Sequence, residues 1–308
     1  MEVKVISKAD VKKEKILTPG RVVWNRLRKN KLAVLGLIVL IIMALSAVVG
    51  PWIIKLAKGY TMETMDYTNS LLGPSADHLL GTDDLGRDVF TRLLYAGRIS
   101  LTIGVVAVLI EVVLGSILGA VAGFYGGVVD GVIMRIVDIF LCFPFFPILI
   151  LLGALLSDWG VPPEFRIYML MLILGILDWP IVCRIVRGQI LTLREQEFMQ
   201  AAEALGLRDK RKMFKHLLPN TFPSIIVQAT LDIGAAILME SAMSYFGLGV
   251  MPPVPSWGNM IQVVNDMYTL QNYPWLWIPA GMCIFLTVMA INIFGDGLRD
   301  ALDPKLKK

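Results

Sequence analysis

Long apolar stretches alternate with short polar segments along most of the chain. Six of these stretches hold roughly 20 or more residues with few charges, and they cover residues 32–54, 99–123, 132–156, 167–190, 224–247 and 275–295. A helix rises about 1.5 Å per residue and the hydrocarbon core of a bilayer is about 30 Å thick, so each stretch is long enough to span a membrane. The pattern therefore predicts an all-α membrane protein with six transmembrane helices.

The composition agrees with a membrane protein. Hydrophobic residues make up 56% of the 308 positions and charged residues 18%, whereas about 25% of an average soluble domain is charged. The three cysteines are far apart in apolar runs and there are only two histidines, so neither a disulfide scaffold nor a Cys- or His-based metal site is expected. The stretch at 32–54 follows a long basic leader and exceeds the length of a signal-peptide core, which favours a retained first helix.

Lysine and arginine are concentrated at residues 1–31, 184–215 and 298–308, whereas residues 248–274 contain neither. Basic residues near the ends of membrane helices favour the cytoplasmic side, and an even number of spans puts both termini on one side. The predicted segments are a cytoplasmic basic tail at 1–31, a first transmembrane helix at 32–54, an extracytoplasmic segment at 55–98, a membrane core at 99–297 and a cytoplasmic tail at 298–308.

The extracytoplasmic segment contains three close carboxylates, Asp83, Asp84 and Asp88. Three close carboxylates are typical of a calcium site, but the spacing of an EF-hand loop is not met. Capping of a helix by Thr82, with Asp83 and Asp84 in its first turn, explains the residues better. The proline-rich loop at 248–274 is expected to be ordered, because proline restricts the backbone, and it would suit a docking surface or a plug.

The polar segment at 191–220 has the pattern of two short helices joined by a glycine. Apolar residues recur at helical spacing in 197–205, and Gly206 stands where a helix often ends in a left-handed residue. A basic segment with apolar Met213 and Phe214 follows, and we expect it to end at Pro219, with Asn220 or Thr221 capping the next helix. The segment is either a packing or interfacial loop, or a surface that docks another protein.

Several charged residues fall inside the predicted spans, where each costs about 2.5–3.5 kcal/mol at the centre of a helix. Arg135 and Asp138 are three residues apart and are predicted to pair with each other, and Asp178 precedes a proline at a possible kink. Three acidic residues are the candidates for a water-filled translocation path: Glu111, Asp232 and Glu240.

The chain lacks the G-x-x-x-x-G-K-[ST] phosphate loop and shows no hydrolytic constellation. No cofactor or metal is therefore expected on this chain, and active transport would draw its energy from an ion gradient or from another subunit. A self-sufficient secondary transporter or channel remains an alternative, and a membrane-embedded enzyme is disfavoured. There is no convincing internal repeat of the kind that ion-coupled carriers use.

Residues 200–219 resemble the "EAA" loop of permease subunits of ATP-binding-cassette importers, whose pattern is E-A-A-x3-G-x9-I-x-L-P. Gln200 and His216 replace the Glu and Ile of that pattern, and Glu203 or Glu197 could supply the carboxylate. Further segments are similar to the C-type permease subunit of the dipeptide/oligopeptide/nickel importers, namely residues 26–31, 81–88, 123–127, 246–249, 255–260 and 295–300.

The resemblance implies the type I importer (MetI-like) permease fold in the inner membrane of a prokaryote, with 99–297 as the permease core and 191–220 as the coupling loop. It implies a second permease chain, two ATPase subunits that bind ATP and Mg²⁺, and an extracytoplasmic solute-binding protein as partners, with no nucleic acid and no catalysis by this chain. The residues implied to couple to the ATPase are Gln200, Ala201, Ala202, Glu203, Leu205, Gly206, Met213, Phe214, Leu218 and Pro219.

Overall fold

The computed structural model describes residues 19–303, which are mostly helical; the predicted basic leader before residue 19 and the last five residues lie outside this range. The helices are α1 (Pro19–Leu27), α2 (Lys31–Lys58), α3 (Val89–Tyr125), α4 (Gly127–Cys142), α5 (Phe145–Asp158), α6 (Pro163–Arg194), α7 (Glu197–Ala204), α8 (Asp209–Arg211), α9 (Leu218–Tyr245), α10 (Trp257–Ile261), α11 (Met267–Asn272) and α12 (Ile278–Leu302). A π-helical turn over Lys212–Leu217 joins α8 to α9, so that Asp209–Tyr245 is one continuous helix.

Residues 195–217 form a small folded unit between α6 and the long apolar part of α9, and this unit is called the knob below. The end of the bundle next to it is the knob end, and the opposite end is the loop end. Arg194 of α6 donates to the carbonyl of Gly123 at 3.2 Å, which puts the end of α3 beside the knob. At the same end Arg26 donates to the carbonyl of Asp303 at 3.1 Å, so the described part of the N-terminus meets the end of α12.

Five helices, α2, α3, α6, α9 and α12, are each long and apolar enough to cross a membrane. The α4–α5 pair makes the sixth crossing, because it begins at the knob end, where Asp130 pairs with Arg187, and finishes at the loop end, where Gly153 lies against Leu248. The chain thus crosses six times within residues 31–302. The predicted all-α fold with six transmembrane helices is confirmed.

The third span differs from the predicted continuous helix over 132–156. It is broken between Cys142 and Phe145, and its two halves are bent by 81°. Pro144 explains the break, because a proline lacks the amide hydrogen and its ring disfavours a helical conformation at the residue before it, here Phe143. The sequence shows the proline, but its hydropathy is high on both sides and hides the bend.

The centre of the bundle is α3, which packs tightly along α6. Gly115, Gly119 and Gly123 recur every fourth residue on α3, and each allows the backbone or a β-branched side chain of α6 to approach. An ideal Cβ on Gly119 would lie 2.5 Å from the carbonyl oxygen of Cys183. Small residues at this spacing bring membrane helices into backbone contact, and dispersion and packing then hold the pair together.

The segment between α2 and α3 folds back on the bundle at the loop end. Helix α3 begins at Val89, ten residues before the predicted start of the span, because the side chain of Asp88 accepts from the amide of Thr91 at 2.7 Å and caps it. The prediction that Thr82 caps a helix is therefore wrong. The hydroxyl of Thr82 instead donates to the carbonyl of Asn69 at 2.5 Å within the folded loop.

Asp83 also has a structural role in this loop. Its carboxylate accepts from the amides of Leu85 and Arg87 and from the Arg87 Nε, at 2.7–3.0 Å. Within residues 19–303, no group of three His, Cys, Asp or Glu side chains has the arrangement of a metal site. The acidic run is thus held by the backbone and by arginine.

The loop after α9 is ordered, as the prolines predicted. The hydroxyl of Ser256 and the amide of Asn259 form a capping box at the start of α10, and Asn259 donates to the carbonyls of Val250 and Val254. Trp257 is buried in the adjoining core. The next helix, α11, is capped by the exposed Asp266, and hydrogen bonds from the side chain and amide of Thr269 lower the pKa of this carboxyl group.

Candidate functional site: an exposed knob and a polar cavity

The knob is built from helix α7, a glycine turn and the start of the long helix. Gly206 adopts a φ of +67°, as the sequence predicted, and follows the end of α7. The amide of Gly206 donates to the carbonyl of Glu203 at 2.9 Å, and the amide of Leu207 donates to the carbonyl of Ala202 at 3.2 Å. These two bonds satisfy carbonyls at the helix end and fix the turn as a compact Schellman motif.

One face of the knob is part of the protein's own core. Met199, Ala202, Met213 and Leu217 are buried, and all but Ala202 belong to an apolar cluster with residues of α3, α6 and α9. Met213 is among the residues implied to couple to the ATPase, but it is only 3% exposed and packs into this apolar cluster. Its role is to attach the knob to the bundle.

The other face of the knob carries apolar side chains in solvent. Leu205 is 79% exposed, Phe214 44% and Phe198 38%. The surrounding residues 194–212 include many charges, so this part of the chain is polar and does not lie in hydrocarbon. Large apolar side chains exposed on a polar unit are typical of a protein-binding surface. Five further predicted coupling residues are also exposed: Gln200, Ala201, Glu203, Gly206 and Pro219.

Lys212 holds the two helices of the knob against α3. Its ammonium group lies 2.9 Å from a carboxylate oxygen of Asp209 and 3.9 Å from one of Glu203, and it sits 5.6 Å from the ring centroid of Phe124. The side chain of Lys212 is 11% exposed, whereas those of Asp209 and Glu203 are 54% and 79% exposed. The knob is therefore a rigid attachment rather than a free loop.

The long helix does not end at Pro219, contrary to the sequence-based prediction. The amide of Leu218 bonds to the carbonyl of Met213, five residues earlier, and this wider π turn accommodates the proline that follows. Asn220 and Thr221 do not cap a new helix; their side chains donate to carbonyls of the preceding turn. Leu218 is half-buried.

A cavity of about 720 Å³ lies at the knob end between α6, α9 and α12. Polar side chains of all three helices line it, including Gln189, Asn220, Ser224, Gln228 and Arg299. Gln189 donates to the hydroxyl of Ser224 across the α6–α9 interface. The sequence-based prediction assigned none of these residues to a cavity, although Asn220, Ser224 and Gln228 are spaced by four on α9 and therefore share one helix face.

Two of the three predicted path residues come together at the inner end of this polar face. Gln228 donates to Asp232 at 2.9 Å, and Glu111 of α3 lies beside Asp232, with Asp178 of α6 close by. Asp232 is twelve residues beyond Asn220, which is about 18 Å along a helix and places it near the middle of the span. Glu111 is only 2% exposed, whereas Asp178 and Asp232 are half-buried.

Glu240 is not part of this face. It is completely buried and accepts hydrogen bonds from Ser100 at 2.8 Å and Ser244 at 2.7 Å. The hydroxyl of Ser100 in turn accepts from the amide of Trp257 at 3.2 Å, so the network joins α3, α9 and α10. Hydroxyl groups therefore enclose the carboxylate of Glu240 in this structure, and its place in a translocation path stays a prediction.

The predicted pair between Arg135 and Asp138 is also not formed. Asp138 binds Arg184 of α6 at 2.5 Å, and Asp130 binds Arg187 of the same helix. Each pair connects α4 to α6, which the sequence could not indicate because the partners are 46 and 57 residues apart. Their place is at the knob end, where they brace the first half of the broken span.

Six crossings, a cavity with polar side chains at the knob end and an exposed knob are the features of a multi-spanning membrane permease. The family of binding-protein-dependent transport system inner membrane components matches residues 115–308, and the N-terminal TM domain of oligopeptide transport permease C matches residues 18–74. The chain belongs to the family of binding-protein-dependent transport system inner membrane components, the permease subunits of ATP-binding-cassette importers.

Individual relatives align over nearly their full lengths. The dipeptide transport system permease protein DppC of Alkalihalophilus pseudofirmus is 41% identical over 94% of this chain and 91% of its own length. The oligopeptide transport system permease protein OppC of Bacillus subtilis is 41% identical over 96% of this chain and 94% of its own. The glutathione transport system permease protein GsiD of Shigella flexneri is 39% identical over the same shares.

Proposed function

We propose that this chain translocates peptides, as one of two permease subunits in an ATP-driven importer. The relatives named for dipeptide, oligopeptide and glutathione transport support a peptide substrate, since glutathione is itself a tripeptide. The partners are a second related permease, two ATPase subunits and an extracytoplasmic solute-binding protein. ATP and Mg²⁺ are bound by the ATPase subunits, and this chain is a non-catalytic transport subunit.

The observation that carries the coupling role is the exposed apolar face of a rigid knob. Leu205 and Phe214 would insert into a groove of an ATPase subunit, where a few apolar anchors supply most of the binding energy. Glu203, whose side chain is 79% exposed, could supply the carboxylate that the importer pattern has at the position of Gln200. The turn at Gly206 would give the partner backbone room to approach.

The knob can transmit a movement because it continues directly into a membrane helix. Asp209–Tyr245 is one helix of 37 residues, which corresponds to about 55 Å. Closure of the ATPase pair around ATP would draw the two knobs together, and α9 would tilt as a rigid body. The cavity at the knob end would then close while the loop end opens towards the solute-binding protein, giving alternating access. Docking supplies the difference in contacts that such a shift requires.

The knob end is proposed to face the cytoplasm. Arg187, Arg194, Arg208, Lys210 and Arg211 gather there, and the described ends of the chain meet at the same end of the bundle. Residues 248–274 at the loop end have no lysine or arginine. Basic residues favour the cytoplasmic side, so both termini and the knob would be cytoplasmic.

Phe214→Ala tests the coupling role in the assembled complex, reconstituted in liposomes with the solute-binding protein. Substrate-stimulated ATP hydrolysis should fall at least tenfold, since losing one central anchor costs about 2 kcal/mol or more. Phe165→Ala is the matched control, because Phe165 is exposed at the other end of α6. Equal rates in both variants would remove the docking role. Ion-driven flux through this chain without ATPase subunits would instead favour a secondary transporter.

Sidedness is tested by labelling single cysteines with a membrane-impermeant maleimide in a variant without the native cysteines. In membranes without the ATPase subunits, Leu205→Cys should react only in inside-out vesicles, and Leu79→Cys, at an exposed position of the loop end, only in right-side-out vesicles. The reverse pattern would contradict the proposed orientation.

A further inference from the structure

Two adjacent cavities lie in the cleft between α2 and α3. The outer cavity, of about 130 Å³, is lined by Pro51, Trp52, Lys55, Tyr95 and Arg98. The inner cavity, of about 230 Å³, is lined by alanine, valine, leucine and threonine side chains of the same two helices and again by Arg98. Because Arg98 lines both, the two cavities form one continuous groove, which is called the α2–α3 groove below.

The α2–α3 groove extends over about half the thickness of a membrane. It begins near the loop end, where α2 ends at Lys58 and α3 begins at Val89. On α3 its lining runs from Tyr95 to Val106, eleven residues further along the helix, which is about 16 Å. The hydrocarbon core of a bilayer is about 30 Å thick. The groove therefore has the length of the acyl chain of a lipid in one leaflet.

The inner part of the groove is apolar and open to the membrane. Ala47 forms its floor, since this residue is only 3% exposed and an ideal Cβ on Gly97 of α3 would lie 3.4 Å from the Cβ of Ala47. Val48 of α2 is 58% exposed and Val105 of α3 is 43% exposed, and both line the same cavity. Lipid tails are as apolar as these side chains, so an acyl chain can lie in the groove without any separation of the helices.

The outer part of the groove is cationic and aromatic. Lys55 and Arg98 are both exposed, and among residues 19–303 neither forms a salt bridge with a carboxylate. No aspartate or glutamate lines either cavity. Trp52, which is 65% exposed, lies beside them, and exposed tryptophans in membrane proteins are enriched at the level of the lipid headgroups. The charge that complements this part of the groove is negative, and lysine and arginine both bind phosphate.

We propose that the α2–α3 groove binds a phospholipid with an anionic headgroup from the leaflet at the loop end. Lys55 and Arg98 contact the headgroup phosphate, and one acyl chain lies along the inner part over Ala47. The lipid thereby fills the cleft between the first membrane helix and the central helix of the bundle. This site is additional to the transport role, and it depends neither on the identity of the solute nor on which side of the membrane the loop end faces.

The charge contacts are tested by native mass spectrometry of the purified full chain in non-ionic detergent, titrated with phosphatidylglycerol. Each basic residue near an anionic lipid surface contributes about 1 kcal/mol, or roughly fivefold in affinity. Arg98→Gln should therefore weaken binding about fivefold and Lys55→Gln with Arg98→Gln about thirtyfold. Lys58→Gln is the matched control, because Lys58 is an exposed lysine of α2 that lines neither cavity. Its affinity should equal that of the unmodified chain.

The acyl-chain position is tested by filling the inner part of the groove. Ala44→Trp introduces a large ring where an exposed alanine lines the inner cavity. Displacing about two methylene groups from the groove should weaken phosphatidylglycerol binding about tenfold. Leu45→Trp is the control, since Leu45 is 56% exposed on the same helix and lies outside the groove. It should leave the affinity unchanged.

Three results would overturn the proposal. Equal affinity in the unmodified chain and the double variant would mean that Lys55 and Arg98 only point into the headgroup layer. Displacement of the lipid by inorganic phosphate would indicate a site for a free anion. Loss of the lipid from the complete transporter, compared with the chain alone, would mean that a partner subunit covers the groove. A phosphatidylglycerol molecule retained by the complete transporter and lost in the double variant would support the site.

Discussion

The close contact between α3 and α6 makes Gly119 a position where a single methyl group should have a large effect. In Gly119→Ala the new Cβ would lie 2.5 Å from the carbonyl oxygen of Cys183 and 2.9 Å from the Cβ of Val186. Real Cβ atoms essentially never come this close to another atom, so the two helices must separate. Neither contact can be relieved by rotating a flexible side chain, because one is with backbone and the other is with a β-branched Cβ.

The effect of the steric clash on the free energy of unfolding can be separated from the glycine-to-alanine change itself by comparison with Gly188→Ala on α6. Gly188 is exposed on α6, and a Cβ there would meet nothing within 4 Å. Alanine is favoured over glycine by about 1 kcal/mol in a helix interior at both sites. Overpacking costs about 1–3 kcal/mol. The free energy of unfolding of Gly119→Ala should therefore lie about 1–3 kcal/mol below that of Gly188→Ala.

The assay is unfolding of the purified protein in mixed micelles with increasing sodium dodecyl sulfate, followed by circular dichroism. Gly115 and Gly123 make similar contacts with α6 and provide repeat tests. Equal stability of the Gly119 and Gly188 variants would refute the reasoning, because it would mean that α3 and α6 tolerate a larger separation at no cost.

Three further outcomes are expected. Met213→Ala should lower the free energy of unfolding by about 2–5 kcal/mol, whereas Phe214→Ala should change it little, as measured in the same micelles, because only Met213 is buried. Glu240→Leu should speed proteolysis of residues 246–274, since it removes the acceptor for Ser100 and Ser244; undiminished protection would contradict the bridging role. The lowered pKa of Asp266 means that its cap on α11 persists above that pKa and weakens as pH falls through it, which faster amide exchange at acidic pH would reveal.

The knob illustrates how far local sequence patterns reach. The apolar spacing of 197–205 and the position of Gly206 predicted a short helix and its left-handed end, and both are present. The same reasoning could not tell which apolar residues face the bundle. Met213 and Phe214 are neighbours in the chain, yet one is buried and the other exposed. Adjacent residues on a helix point about 100° apart, and the packing of the knob on α3, α6 and α9 decides which of the two faces the bundle.

The charged residues show a second limit. Their presence in the spans was evident from the sequence, and in the structure Glu111 and Asp232 lie beside each other, with Gln228 donating to Asp232. Glu240 looked the same in the sequence. Only the packing of α3, α9 and α10 brings the hydroxyl groups of Ser100 and Ser244 around the carboxylate of Glu240.

The sequence by itself determined the six membrane crossings and the polar knob between two of them. These features follow from the length and hydropathy of contiguous segments, because the bilayer acts on each segment separately. The tertiary structure alone decided the bend of the third span, the partners of Asp138 and Glu240, and the convergence of Glu111, Asp178 and Asp232. Those depend on contacts between residues far apart in the chain, which form only when helices pack side by side and which leave no periodic trace in any one helix.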